Sequence, residues 1–154
     1  MATSTLIQFL AEGEGLSTSN RRQEETFIAA EAITSGDAVS LDMSQGIDGD
    51  ISLYVVQADT GTATDRCFVG VALESAAANA QVRVCIAGPC EANVDGATAA
   101  GSILQIGSTA GRLAVRTVSV NEGGAATFDL YPIAGISTEA DAANVATIVV
   151  FKQF

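Results

Sequence analysis

The residues in this chain that could do chemistry are few, and most are carboxylates. Asp42, Asp48 and Asp50 crowd one loop, Asp42-Met-Ser-Gln-Gly-Ile-Asp48-Gly-Asp50. Calcium is the ion to weigh there, because it takes about six to eight hard oxygens. An EF-type loop sets its acids at alternate positions ahead of a glycine and a distant bidentate glutamate; this loop does not, so the spacing argues against calcium. Glu74 and Glu139 are a second pair, and two acids in unlike environments can divide into acid and base. The simpler reading is that each opens a short helical turn, as in Glu74-Ser-Ala-Ala-Ala-Asn79, where a carboxylate favours the positive helix end. Cys85 and Cys90 flank Ile86-Ala-Gly-Pro89, across which a disulfide could close, but the odd total of 3 cysteines argues against a disulfide framework, and Cys85 and Cys67, which stand 65 positions before Val150 and Pro132, read as small apolar filler.

What is missing narrows the field further. The chain has no histidine and no tryptophan, and its single lysine is Lys152. Histidine is the first resource for proton transfer near neutral pH and for transition-metal ligation, so hydrolase, transferase and metal chemistry all lose ground. Neither a Gly-x-Ser-x-Gly elbow nor a paired Cys-x-x-Cys is present, and Gly13, Gly15, Gly123 and Gly124 do not open a helix with phosphate-cradling spacing. The formal net charge of -11 opposes binding to a phosphate backbone, which needs clustered Lys and Arg. Arg21-Arg22, the one adjacent basic pair, suits a partner's carboxylates or solvent better than nucleic acid. No apolar run approaches the roughly 18 residues of a membrane span, and the N-terminus lacks a signal-peptide pattern, so synthesis in a cytoplasm is expected. The expectation is a non-enzyme without cofactor or bound metal, and without nucleic-acid or membrane partners.

The elements that would carry these residues are strands. At 154 residues and 48% apolar content the chain can bury one real core, while only 16% charged residues leave a weakly polar surface suited to protein contacts. Ala32-Ile-Thr-Ser-Gly36-Asp-Ala-Val39-Ser-Leu41 lies over Ala97-Thr-Ala-Ala-Gly101-Ser-Ile-Leu104-Gln-Ile106, 65 positions on. Gly70 lies over Gly135 and Asn79 over Asn144 at the same offset. These are residues that set backbone geometry, and Gly36, Gly101, Gly70, Gly135, Asn79 and Asn144 are read as the turns that determine the fold. Short alternating strands with turn signals between them predict an all-β protein, an antiparallel β-barrel or sandwich built from two pseudo-twofold-related repeats at about 30–88 and 95–153. Strands are expected over Ile51 to Val56, Cys67 to Leu73 and Gln81 to Ala87, among others.

Residues 1–25 read differently, as an extended N-terminal arm preceding the 26–154 barrel domain. Leu6-Ile-Gln-Phe-Leu10 is apolar, and Ala11-Glu-Gly-Glu-Gly15 with Ser17-Thr-Ser-Asn20 is turn-rich. Such an arm either folds back as an edge strand on its own barrel or anchors on a neighbour. Leu6, Ile7, Phe9, Leu10, Arg21 and Arg22 are therefore the candidate contact residues.

The run Ala32 to Asp42, then Phe68-Val-Gly-Val-Ala-Leu-Glu-Ser-Ala-Ala-Ala-Asn-Ala-Gln-Val-Arg-Val84 and Gly88-Pro-Cys-Glu-Ala-Asn-Val-Asp-Gly96, resembles the capsid cement, or head decoration, proteins of tailed bacteriophages. The likeness covers residues 26–107 best, and it departs where Asn79 stands in place of that pattern's usual glycine. The resemblance implies a small oligomeric β-barrel on the exterior of an icosahedral head, with the major capsid protein and copies of itself, as dimer or trimer, for partners. It implies that the chain stabilises contacts between capsid subunits, and it implies no catalytic residues. A head fibre or tail structural component would share the same composition and arm. The enzyme alternative, a trimeric β-barrel nucleotide hydrolase, lacks its substrate loops here.

Overall fold

The computed structural model describes residues 22–46, 48–60, 67–116, 132–142 and 144–153, with only the backbone of Asp48 and Gly49. The first strand, β1 (Gln23–Ala29), is exposed along Gln23 to Thr26 and turns apolar and buried at Phe27 and Ala29. A tight turn follows, in which Gly36 holds φ 89 and the Asp37 amide donates to the Thr34 carbonyl at 3.0 Å. A β-carbon at that φ would be strained, so glycine is needed there. The chain then runs through β2 (Ala38–Leu41), a helical turn α1 (Asp48–Ile51), β3 (Tyr54–Gln57), β4 (Phe68–Ala72) and the long β5 (Gln81–Asn93).

These strands close a barrel. Their order is β1-β3-β2-β4-β5, and β5 pairs back onto β1 from Ile28↔Gln81 to Gln23↔Ala87. Every pairing is antiparallel except β1 with β3, joined at Ile28↔Tyr54 and Ala29↔Val55. The parallel pair departs from the all-antiparallel expectation: β2 lies between β1 and β3 in sequence, so the strands on either side of it run the same way. Inside pack Phe27, Ile33, Val39, Val55, Val69, Val82, Val84 and Ile86. Each such side chain contributes roughly 1.5–3 kcal/mol by leaving water.

Gly88-Pro89, read from sequence as the end of a strand, does not end one. β5 bends at Gly88 (φ 98) and continues, its second half pairing with β9 (Val145–Val150) from Gly88↔Val150 to Asn93↔Val145. With β6 (Ile103–Ile106), β7 (Leu113–Val115) and β8 (Ile133–Ser137) these build a second sheet in the order β5-β9-β8-β6-β7. A parallel bridge, Val94↔Leu113, joins its two ends into a second barrel. The second core holds Ala92, Val94, Leu104, Ile106, Leu113, Ile148 and Val150, and it also takes in Ala38, Ala58, Phe68, Val71 and Cys85. The Ala38↔Val71↔Cys85 row faces away from the first core, so the outside of the first barrel is buried against the second.

Pairings recur at the 65-residue offset. Ala38↔Val71, Val39↔Gly70 and Ser40↔Phe68 in the first barrel match Ile103↔Ile136, Leu104↔Gly135 and Gln105↔Ile133 in the second, each set broken by an irregularity at the same step. The bridges Ile33↔Ala76 and Thr98↔Asp141 match as well. The register leaves that offset in two strands: Leu41↔Val55 in the first barrel matches Ile106↔Leu113 in the second, so β7 comes seven residues early, and the last strand slips by one. Val71 faces Cys85, whereas Ile136 faces Val149, one residue short of the constant offset. The Ala80 carbonyl accepts from the Ala29 amide where the Asn144 carbonyl accepts from Val94, so the turn after Asn144 is the shorter by one.

Two local expectations are corrected. The strand foreseen over Ile51 to Val56 is shortened to Tyr54–Gln57, because Asp48–Ile51 coils into α1. The residues from Glu74 to Asn79 form no helical turn: Ala76 and Ile33 exchange backbone hydrogen bonds at 2.9 Å, and Asn79 reverses the chain at φ 65. Asparagine tolerates that left-handed conformation better than other side chains do.

Candidate docking surface

Of the carboxylates singled out for chemistry, Asp42, Glu74 and Glu139 are tied to their own surroundings. Asp42 accepts from the Ser44 hydroxyl and the Gln45 amide, both at 2.6 Å, and from the Ser44 N–H at 3.0 Å. These bonds pin its loop. Among the described residues no three His, Cys, Asp or Glu side chains gather where a metal ion could be held. Glu74 and Glu139 cap no helix; each reaches across to the neighbouring strand. Glu74 takes hydrogen bonds from the Arg83 side chain at 3.2–3.3 Å, and Glu139 takes one from the Thr147 hydroxyl at 2.5 Å. Hydrogen bonding from Arg83 holds the Glu74 carboxyl below its ordinary pKa, so it stays ionised. An acid that is ionised and engaged is poorly suited to donate a proton.

The three cysteines are free thiols, Cys67 half-buried and Cys85 and Cys90 buried. Cys85 and Cys90 fill the second core, the apolar-filler role. A cleft of about 400 Å³ opens where β5 passes between the barrels, with Arg22, Ser35, Pro89, Glu91 and Thr147 along it. Arg22 is already engaged with Glu24 at 2.6 Å, and Glu24 pairs in turn with Arg83 at 3.3 Å. Exposed pairs of this kind contribute little, because solvent screens them. Of the candidate contact residues only Arg22 is described; Leu6, Ile7, Phe9, Leu10 and Arg21 lie outside the described residues.

The six residues named as turns divide. Gly36 (φ 89), Gly101 (φ 83), Asn79 (φ 65) and Asn144 (φ 63) occupy left-handed turn positions. Gly70 and Gly135 instead sit inside β4 and β8, where a β-carbon would run into the backbone carbonyls of Cys85 and Val149. They set the strand spacing, because the neighbouring strand passes too close for any side chain.

Exposed large apolar side chains lie both in turns and on strands. Met43 is 46% exposed and Leu53 47%, at the free end of the first barrel; Ile103 is 43% exposed on β6, with Val145 and Phe151 also exposed on and just beyond β9. Ile103 pairs with Ile136 and Ile136 with Val149, so one apolar row crosses the outer face of the second barrel. A comparison of the two repeats contained the signal, since Ala38 in the first copy becomes Ile103 in the second.

A closed five-stranded barrel joined through one long strand to a second barrel is the arrangement to compare with known proteins. No family model matches the chain, and no curated protein matches it. Among solved structures, the N base of the head fibre gp8.5 of bacteriophage phi29 is similar, with a TM-score of 0.54 at 15% identity, over 84% of this chain and 94% of that one. The shared property is the fold.

Proposed function

We propose that this chain is a structural component of a phage virion, carried on the outer surface of an icosahedral head, where it stabilises contacts between major capsid subunits. The observation that supports this most is the fold shared with a head-fibre base over nearly the full length of both chains. Asp42, Glu74 and Glu139 are each engaged by neighbours, as residues with a structural role would be. In this reading the double barrel arose as two pseudo-twofold-related repeats, and the part of the 1–25 arm that precedes β1 docks on the capsid or a sister subunit. Many copies on a lattice convert weak individual contacts into firm attachment.

A head fibre is the second reading, favoured by the identity of the structural neighbour itself. The two differ in what the chain does for the shell. Antibodies against the chain should label head exteriors at regular lattice positions in electron micrographs. Heads stripped of it should release DNA at a lower temperature than decorated heads if it is mortar, and at the same temperature if it is a fibre. Labelling confined to tails or absent from particles would remove both readings. Replacing Ile7 and Phe9 with serine should weaken head binding if the arm docks, and undiminished binding would refute the arm's role.

A further inference from the structure

The chain contains one interface between barrels, and it leaves both halves of a second such interface uncovered. Inside the chain, the β6–β7 turn of the second barrel sits on the outer face of the first: the Ala38 amide donates to the Gly111 carbonyl at 2.8 Å, and the Gly111 amide to the Ala58 carbonyl at 2.9 Å. Beneath that turn the row Ala38, Val71, Cys85 is fully buried. The matched row on the second barrel is Ile103, Ile136, Val149, which is bulkier and only partly covered, with Ile103 43% exposed. Surface that needed no burial would gain nothing from exchanging alanine for isoleucine, and exposed apolar patches of this kind mark contact sites.

The other half is equally visible. The connection between β2 and β3 is the counterpart of the β6–β7 turn, since Leu41↔Val55 matches Ile106↔Leu113, so it is the seating end of the first barrel. Met43 and Leu53 flank the Asp42 to Tyr54 backbone bond at that end, and they are the two most exposed large apolar side chains described. The acidic turn α1 (Asp48–Ile51) lies beside Leu53. Lys152 follows Phe151 on the receiving barrel, and the backbone of Arg116 bonds Ile103. Each copy thus carries both an apolar end and an apolar row that are left open.

We propose that the chain associates head to tail with a second copy of itself, the Met43 and Leu53 end of one first barrel seating on the Ile103, Ile136 and Val149 face of the next copy's second barrel. The two surfaces differ, so the contact is heterologous and either closes into a ring or runs on. This does not depend on where the protein acts and is tested on the purified chain alone.

Sedimentation of the full chain should give masses above the 15.6 kDa monomer. Leu53→Glu and Ile103→Glu should each weaken association on the order of 100-fold, since each places a charge in the apolar centre of the contact. Mixing the two variants should restore one good interface and yield a 1:1 pair that grows no further. A wild-type chain that stays monomeric at millimolar concentration, variants that associate like wild type, or monomeric variants that fail to pair when mixed would each overturn the proposal. Both positions face solvent, and thermal melting checks that the variants fold. Should either charge unfold the chain, Leu53→Ser and Ile103→Ser are read by the same mixing experiment.

Discussion

The side-chain amide of Asn93 donates to Oδ1 of Asp37 at 2.9 Å, and this bond ties the second barrel to the first. Asp37 is buried, and its other oxygen accepts from the Thr34 N–H at 2.8 Å and the Gln57 amide at 2.7 Å. Asp37→Ala removes all three bonds. At about 1 kcal/mol or more each, the loss should be roughly 3 kcal/mol, read as a lower urea midpoint at unchanged slope. Asn93→Ala alone should cost less, and the double variant should reveal a coupling of about 1 kcal/mol. Additive effects would mean that the bond does not join the barrels energetically.

Gly70 and Gly135 make a sharper test of strand spacing. A β-carbon at either would meet backbone, which cannot swing aside as a side chain can. Gly70→Ala and Gly135→Ala should each destabilise by about 2 kcal/mol or more. Gly46→Ala is the control: a β-carbon added there would meet nothing within 4 Å beyond its own chain neighbours, and its cost should stay within about 0.5 kcal/mol. Thermal unfolding of the three variants ranks them directly. Equal effects at all three positions would disprove the close-approach account.

Acid should weaken the Asp42 loop over a defined range. Burial pushes the Asp42 carboxyl up, but hydrogen bonds from the Ser44 hydroxyl, the Gln45 amide and the Ser44 N–H together outweigh it and leave the folded pKa below the ordinary value of 3.8. The unfolded chain therefore takes up this proton first as pH falls. The resulting stabilisation is present above pH 3.8 and is lost as pH drops through the lower folded value. Asp42→Asn should be less stable than wild type at neutral pH, and the gap should close on acidification. Urea unfolding of both proteins between pH 7 and about pH 2 measures it; a gap of constant size would exclude the mechanism.

Strand identity was legible where residues set backbone geometry. Gly36 and Gly101, Asn79 and Asn144, and the alternation of Val82, Val84 and Ile86 all carry their meaning locally. Long-range facts were not legible. Gly88-Pro89 signals a stop, yet β5 continues because β9 supplies the pairing that a lone strand would lack. Glu74 has helix-opening neighbours, but its partner Arg83 lies on the next strand. The slip in β9 is masked by Val149, which matches Val84 at the constant offset even though Ile148 is its structural counterpart. Exposure at Leu53 and Ile103 depends on which barrel faces fold against each other, and no local pattern encodes that. Exposed apolar side chains accordingly occur on the strands at Ile103 and Val145, whereas the N-terminal arm expected from sequence lies outside the described residues.

The buried thiols offer a last test, one that separates access from ionisation. Cys85 lies against the carbonyls of Ala87 and Gly88 at 3.5 and 3.7 Å and beside Cys90. The Cys90 thiol, hydrogen-bonded to Cys85 and buried, is held protonated far above its ordinary range, while that same hydrogen bond lowers Cys85. Neither is reachable in the folded barrel, whereas Cys67 is only half-buried. Alkylation followed by mass mapping should therefore modify Cys67 first, with Cys85 and Cys90 at least about 100-fold slower because they must await opening of the core. Cys85 reacts only in opened molecules, where the Cys90 hydrogen bond is gone, so Cys90→Ala should leave the pH dependence of its labelling unmoved. A profile that moves with Cys90→Ala, or fast labelling of all three thiols, would contradict the packing of β5 between the barrels.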